Sequence, residues 1–227
     1  MKASPGARSW IAAGVRHELL TRALPALRHD MAAPVSVMRM ALLMLKRQIG
    51  APAIDAAACE ERVALIDHQM SELVDGVRSL RDWELATTDD GITRSALVAQ
   101  CVGLMRAAFD MHGIVLEVDP ALAPDGGRDE TRWPQGAALR YLFLGALGYL
   151  HDSETETGSI RIEARGDDAV CLNGTPRESG GTSPVLDAHR APRALAIDAV
   201  ALQSLAEDLG YTVALERDSV CFALAAG

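Results

Sequence analysis

The chain has 227 residues, 49% hydrophobic, 4% aromatic and 23% charged, enough apolar content for one large or two small cores. Its 22 basic and 31 acidic residues give a formal charge of −9, which excludes nucleic-acid binding through a generally basic surface. The charge is uneven: residues 1–50 hold eight Lys/Arg against Glu18 and Asp30, a net +6, and the remainder carries −15.

Residues 9–49 read as one long helix or two coaxial ones, because Leu24, Met31, Met38 and Leu45 recur every seven residues. Pro25 and Pro34 interrupt the pattern, so a restart near the first and a kink near the second are expected. Ile49-Gly50-Ala51-Pro52 stops the helix. Ala56, Cys59, Val63, Ile66, Met70, Leu73, Val77 and Leu80 then follow the alternating three–four spacing of a coiled-coil seam. Two such helices form an antiparallel hairpin, and a second copy completes a four-helix bundle.

Thr87-Thr88-Asp89-Asp90-Gly91 is a polar break, which divides the chain into domains at 1–88 and 92–227. Beyond it a helix is expected at 95–112, a strand at 114–118, a loop at 121–130 and an apolar helix at 134–150. Strands follow at 159–164 and 169–172, then a flexible loop at 173–183 and a helix at 194–209 stopped by Gly210. A hairpin of 212–215 with 220–224 closes the chain. The fold class is therefore a helical hairpin followed by a mixed α/β sandwich.

Cys59, Cys101, Cys171 and Cys221 lie far apart, without the close spacing a zinc cluster needs. They read as small core residues with reduced thiols, and a cytoplasmic address follows. The longest uninterrupted apolar run, Tyr141 to Leu150, is ten residues, too short for the ~20 of a membrane helix. Arg16 cuts short the apolar stretch after Trp10, so no signal peptide is expected. His68, His112, His151 and His189 carry no motif and read as surface residues.

His29 differs from these. It falls at heptad position f, turned away from the seam, with Asp30 next to it and Pro34 five residues on. An imidazole that accepts a phosphoryl group on one nitrogen must hold its other nitrogen as a donor, and an adjacent carboxylate fixes that tautomer. In-line approach requires the ring to project into solvent. The segment Leu27-Arg28-His29-Asp30-Met31-Ala32-Ala33-Pro34-Val35 resembles the phosphorylation box of bacterial histidine kinases, His-Glu/Asp-x-x-Thr/Asn-Pro-Leu, which opens their dimerisation hairpin. The family's Thr/Asn is Ala33 here, and phosphatase activity that relies on it is not expected. His17-Glu18-Leu19-Leu20-Thr21 is a rival match in which Arg22 stands for the family's proline.

The second half is similar to the same family's ATP-binding domain, without its nucleotide residues. Tyr141-Leu142-Phe143-Leu144-Gly145-Ala146-Leu147-Gly148-Tyr149 keeps the apolar frame of the metal-binding helix but has Tyr141 and Gly145 at its Asn positions. Leu172-Asn173-Gly174-Thr175-Pro176 lacks the adenine-reading carboxylate, and Arg190 to Ala196 replaces the family's final glycine-rich run. Phosphate cradling needs bare backbone and Mg²⁺ needs an oxygen ligand.

The resemblance thus implies a homodimeric histidine phosphotransferase with a degenerate ATPase-like domain. Such a protein relays phosphate through His29, oriented by Asp30, between response-regulator receiver domains, one of them possibly part of a hybrid histidine kinase. It uses no ATP, holds no metal or cofactor, takes Mg²⁺ from the partner receiver, and binds neither nucleic acid nor membrane. Two alternatives are an ATP-dependent kinase core with a divergent pocket and a non-catalytic adaptor.

Overall fold

The computed structural model describes residues 4–85, 91–123, 130–152, 157–177 and 195–226. Two compact units emerge, residues 24–87 and the combination of 1–23 with 88–227.

The smaller unit is the helical hairpin. α1 (Pro5–Ile49) ends on the turn at Gly50, and α2 (Ala56–Ser79) begins on Asp55, whose carboxylate accepts the Ala58 N–H at 3.2 Å. A 3-10 turn, Leu80–Trp83, extends it. The expected restart at Pro25 does not occur: α1 is helical through both prolines. Each proline removes one backbone donor, leaving the carbonyls of Thr21 and Asp30 without their helical partner, and the flanking turns carry the helix across.

The larger unit is a two-layer α/β sandwich. Its sheet runs in the order β2 (Val115–Val118), β4 (Thr157–Arg165), β5 (Ala169–Pro176), β7 (Ser219–Ala223), β6 (Val213–Leu215), with β2 parallel to β4 and the other pairs antiparallel. A separate two-stranded ribbon, which the sequence did not suggest, pairs β1 (Ile92–Thr93) with β3 (Arg132–Trp133). Gly91 sits at φ 75° beside it, where an added Cβ would lie 2.6 Å from the Trp133 carbonyl oxygen. The helices are α3 (Arg94–Met111), α4 (Gly136–Asp152) and α5 (Ala199–Leu209). One sheet face, formed by Leu116, Ile160, Ile162, Val170, Leu172, Val220 and Phe222, is buried, and Phe143 of α4 meets Phe222 edge-on at 6.3 Å. The alternate residues make the opposite, polar face: Glu117, Arg161, Asn173 and Ser219 lie across the strands in register.

Four expectations need correction. First, residues 5–23 belong to the α/β unit rather than to the hairpin, since Ala12, Val15, Leu19 and Ala23 form a fully buried helical stripe there. Second, residues 173–176 are not loop but the end of β5, where Asn173 donates to Glu163 at 3.0 Å and accepts from Ser219 at 2.7 Å. Third, Cys171 and Cys221 are directly opposite on β5 and β7 and form a disulfide, so only Cys59 and Cys101 are free thiols. Strand register, invisible in linear spacing, brings these two together. Fourth, His151 is not a surface residue: its side chain is 9% exposed, tilted on Phe109 at 5.2 Å and edge-on to His112 at 4.8 Å. The expected helix start at Ala194, the loop residues 178–183, the break at 87–90, His189 and residues 190–194 lie outside the described residues. No helix among the described residues is long and apolar enough to cross a membrane.

Candidate functional site

In the hairpin, the heptad pattern resolves into separate faces. Pro34 and Ala41 are buried and Met31, Met38 and Leu45 half-buried, so positions a and d of α1 pack against α2. The inward residues of α2 include Cys59, Ile66 and Leu73, half-buried, while an added Cβ at Gly76 would touch Met31 at 3.9 Å. The single coiled-coil seam read from α2 is thus two stripes. Val63, Met70 and Val77 stay exposed, and so do Val35, Leu42 and Ile49 of α1. Each set is spaced by seven residues, the period that keeps one stripe facing a neighbouring helix.

His29 points away from both stripes. Its side chain is 82% exposed and that of Asp30 is 74% exposed, with Nδ1 and the nearer carboxylate oxygen 3.5 Å apart, the outer limit of a hydrogen bond. With Nδ1 turned to the carboxylate, Nε2 is the ring atom left for chemistry. At about 100° per residue, Val37, Met40, Leu43 and Met44 all project within about 80° of His29. All four are exposed and form an apolar strip running down the helix from the imidazole. Ala33, four residues after His29, has a side chain that neither donates nor accepts a hydrogen bond.

The rival histidine has a different surrounding. His17 is exposed, but Glu18 is committed to Arg22, whose Nε donates to it at 2.9 Å, and Thr21 donates its hydroxyl proton to the His17 carbonyl. A carboxylate held by a guanidinium is a poor orienter for the neighbouring imidazole. The two histidines also belong to different units, His17 to the α/β unit and His29 to the hairpin.

The basic charge of the first fifty residues is partitioned in the same way. Arg8 pairs with Glu207 at 2.5 Å, Arg16 with Asp208, and Arg22 with both Glu18 and Asp152, all inside the α/β unit. Arg28, Arg39, Lys46 and Arg47 are the exposed basic residues of α1 in the hairpin, against Asp30. The charge near His29 is therefore about half of what the linear sequence suggested.

In the α/β unit, Tyr141, Gly145, Gly148 and Asp152 share one face of α4. That face is covered by the chain itself. A Cβ added at Gly145 would meet Leu205 at 2.9 Å, Leu202 at 3.0 Å and Leu19 at 3.9 Å; one at Gly148 would meet Ile197 at 2.6 Å and Arg22 at 3.6 Å. Burial raises the Tyr141 phenol, with nearby Arg16 opposing. Asp152 closes the stripe with its side chain 1% exposed, accepting from Arg22 at 2.8 and 3.2 Å, His151 Nδ1–H at 2.8 Å and the Ile197 N–H at 2.9 Å. Burial alone would push its carboxyl up, but these hydrogen bonds and the Arg22 charge hold it well below the usual carboxylate range. Sequence reading missed this cluster, although the apolar spacing of Ala12, Val15, Leu19 and Ala23 was a signal that the early part of α1 packs on something.

No family model matches the chain, and no curated protein matches it in sequence. Among solved structures it is similar to the cytoplasmic segment of the histidine kinase QseC, at 13% identity over 69% of this chain and 92% of that one, with a TM-score of 0.37. It is also similar to the Acinetobacter baumannii histidine kinase AdeS, at 14% identity over 86% of this chain and 94% of that one, with a TM-score of 0.34.

Proposed function

We propose that this chain is a homodimeric histidine phosphotransferase that relays a phosphoryl group between response-regulator receiver domains through Nε2 of His29, in the cytoplasm and without ATP. The observation that carries the reading is the projection of His29 from a smooth helix, beside Asp30, on a face distinct from both apolar stripes. In the transfer, Nε2 attacks phosphorus in line. The bond from phosphorus to the receiver's carboxylate oxygen breaks, a phosphorus–nitrogen bond forms, and the carboxylate leaves as the free anion. Attack by a second receiver's carboxylate reverses these changes. Asp30 holds the Nδ1 proton throughout, so the positive charge that develops on the ring meets a carboxylate. The receiver brings the metal ion that neutralises its own phosphoryl oxygens, and the strip from Val37 to Met44 offers that partner an apolar docking surface next to four basic side chains.

Two further features support parts of this reading. The exposed stripes Val35/Leu42/Ile49 and Val63/Met70/Val77 are what a second hairpin would cover in a four-helix bundle. The α4 face that carries Asn in nucleotide-binding relatives bears Gly145 and Gly148 under Leu19, Leu202, Leu205 and Ile197, which favours a relay without nucleotide over an autokinase.

The test is incubation of the full chain with a receiver domain carrying labelled phosphate. Acid-labile, base-stable label should appear on the wild-type protein and on His17→Gln, and be lost in His29→Gln. Label that survives His29→Gln, or that appears from labelled ATP without a receiver, overturns the reading.

A further inference from the structure

The polar face of the sheet carries a second reactive centre that owes nothing to the phosphotransfer reading. Cys171 and Cys221 face each other across β5 and β7 with Cα atoms 4.2 Å apart, in the middle of a ladder whose flanking pairs are Val170–Phe222 and Leu172–Val220. Most structural disulfides are unreactive because no thiolate reaches them, and this one borders a surface cavity. Both cysteines line a surface cavity of about 300 Å³ on the sheet face turned away from the buried layer. Cys171 is 7% exposed and Cys221 half-buried, so Cys221 is the more accessible sulfur. A cation stands over the pair: Nη1 of Arg165 is 3.6 Å from Cys221 Sγ and 4.0 Å from Cys171 Sγ, while two carboxylates, Glu163 (which accepts from Asn173) and Glu216, line the same cavity. The Ser219 hydroxyl is 4.0 Å from Cys221 Sγ. The free Cys101 is the internal contrast. It is fully buried, and its thiol is pushed up to about 12 by desolvation.

We propose that Cys171–Cys221 is a thiol–disulfide exchange site for low-molecular-weight monothiols, with Arg165 stabilising the thiolates on both sides of the exchange. A monothiol enters as its thiolate from the cavity and attacks Cys221 Sγ. The bond between the two cysteines breaks, and Cys171 leaves as a thiolate beside the guanidinium and takes a proton from water. A second monothiol thiolate attacks the outer sulfur of the mixed disulfide, releasing the small-molecule disulfide and Cys221 as a thiolate, which is protonated in turn. Two monothiols have supplied two electrons and two protons. A small-molecule disulfide runs the same steps backwards. The guanidinium lowers the energy of each departing or attacking sulfur anion. The backbone pairing on either side of the two cysteines does not run through the disulfide, so the sheet is expected to stay paired during exchange.

The experiment uses the full chain under native conditions. The protein is treated with 2-mercaptoethanol, the thiols are trapped with a maleimide, and the labelled peptides are identified by mass. Cys171 and Cys221 should become labelled together without denaturant while Cys101 stays unlabelled. Reoxidation of the reduced protein by hydroxyethyl disulfide is then followed against pH, where the midpoint reports the attacking protein thiol. Arg165→Gln should move that midpoint up by roughly one pH unit, the effect of losing a cation next to a thiolate. Arg165→Lys should restore it, and all variants should keep the wild-type circular dichroism. Release of the two thiols only in denaturant, labelling of both in air-oxidised protein that has met no thiol, or an unmoved midpoint in Arg165→Gln overturns the proposal.

Discussion

Asp152→Ala tests whether the start of α1 is held to the α/β unit by chemistry as well as by apolar contact. The substitution removes a carboxylate that accepts four hydrogen bonds, two of them from Arg22. It strands the Ile197 N–H and leaves a guanidinium whose side chain is only 17% exposed. Breaking a buried ion pair on one side costs about 3–5 kcal/mol. Glu18 still accepts from Arg22 Nε, which places the expected loss near the lower end, about 3 kcal/mol. Glu18→Gln should cost less, about 1–2 kcal/mol, because Arg22 keeps Asp152. The pH dependence gives a second, independent sign. The folded-state carboxyl lies below its unfolded value of about 3.9, so its contribution is fully present above that pH and is lost as pH falls towards the folded value. Wild type and Asp152→Ala should therefore converge as pH falls below about 4, by up to about 1.4 kcal/mol per pH unit. Urea unfolding followed by far-ultraviolet circular dichroism measures both quantities. A loss under about 1 kcal/mol at pH 7, or a difference that is the same at pH 7 and pH 3, would refute the reasoning.

Gly145→Asn and Gly148→Val place a Cβ against Leu202, Leu205 and Ile197, so each should lower stability by about 1–3 kcal/mol; a titration with a fluorescent ATP analogue should show no gain in binding for Gly145→Asn. Leu42→Glu combined with Met70→Glu puts charge into the two exposed hairpin stripes, and light scattering after size exclusion should show a dimer becoming a monomer with its helix content retained. In native protein treated with iodoacetamide, Cys59 should alkylate while Cys101, fully buried and with its thiol raised to about 12, reacts only on unfolding.

The elements visible in the sequence were those with one dominant period. The seven-residue recurrence from Leu24 to Leu45 and the strand alternation around Ile160 and Ile162 each match what formed. His29 stood out because its neighbours Asp30 and Pro34 are local, so the whole pattern fits in one turn and a half of helix. What escaped was everything set by long-range register. The disulfide depends on how residues 50 apart align across two strands. The Asp152 cluster depends on α1 meeting α4 across 130 residues. The seam of α2 was read as one stripe, because a three–four spacing does not say which of Val63 and Ile66 faces its own hairpin and which faces out. Charge follows the same rule: Arg8, Arg16 and Arg22 are basic by count and neutralised by distant partners.

The buried stripe of Ala12, Val15, Leu19 and Ala23 also sets an order of events during synthesis. Leu19 lies with Leu202 and Leu205 around Gly145, and the neighbouring Arg16 pairs with Asp208, all three partners close to the far end of the chain. At the usual pace of translation, some 180 residues separate the emergence of the stripe from that of its cover, on the order of ten to forty seconds. The nascent chain thus presents an uncovered apolar helix throughout most of its own production. A fragment that starts at residue 91 never acquires that helix and leaves the face of α4 bare. The α/β unit is therefore not a portable segment of sequence: the helix that completes its core arrives first and is the last part to be used.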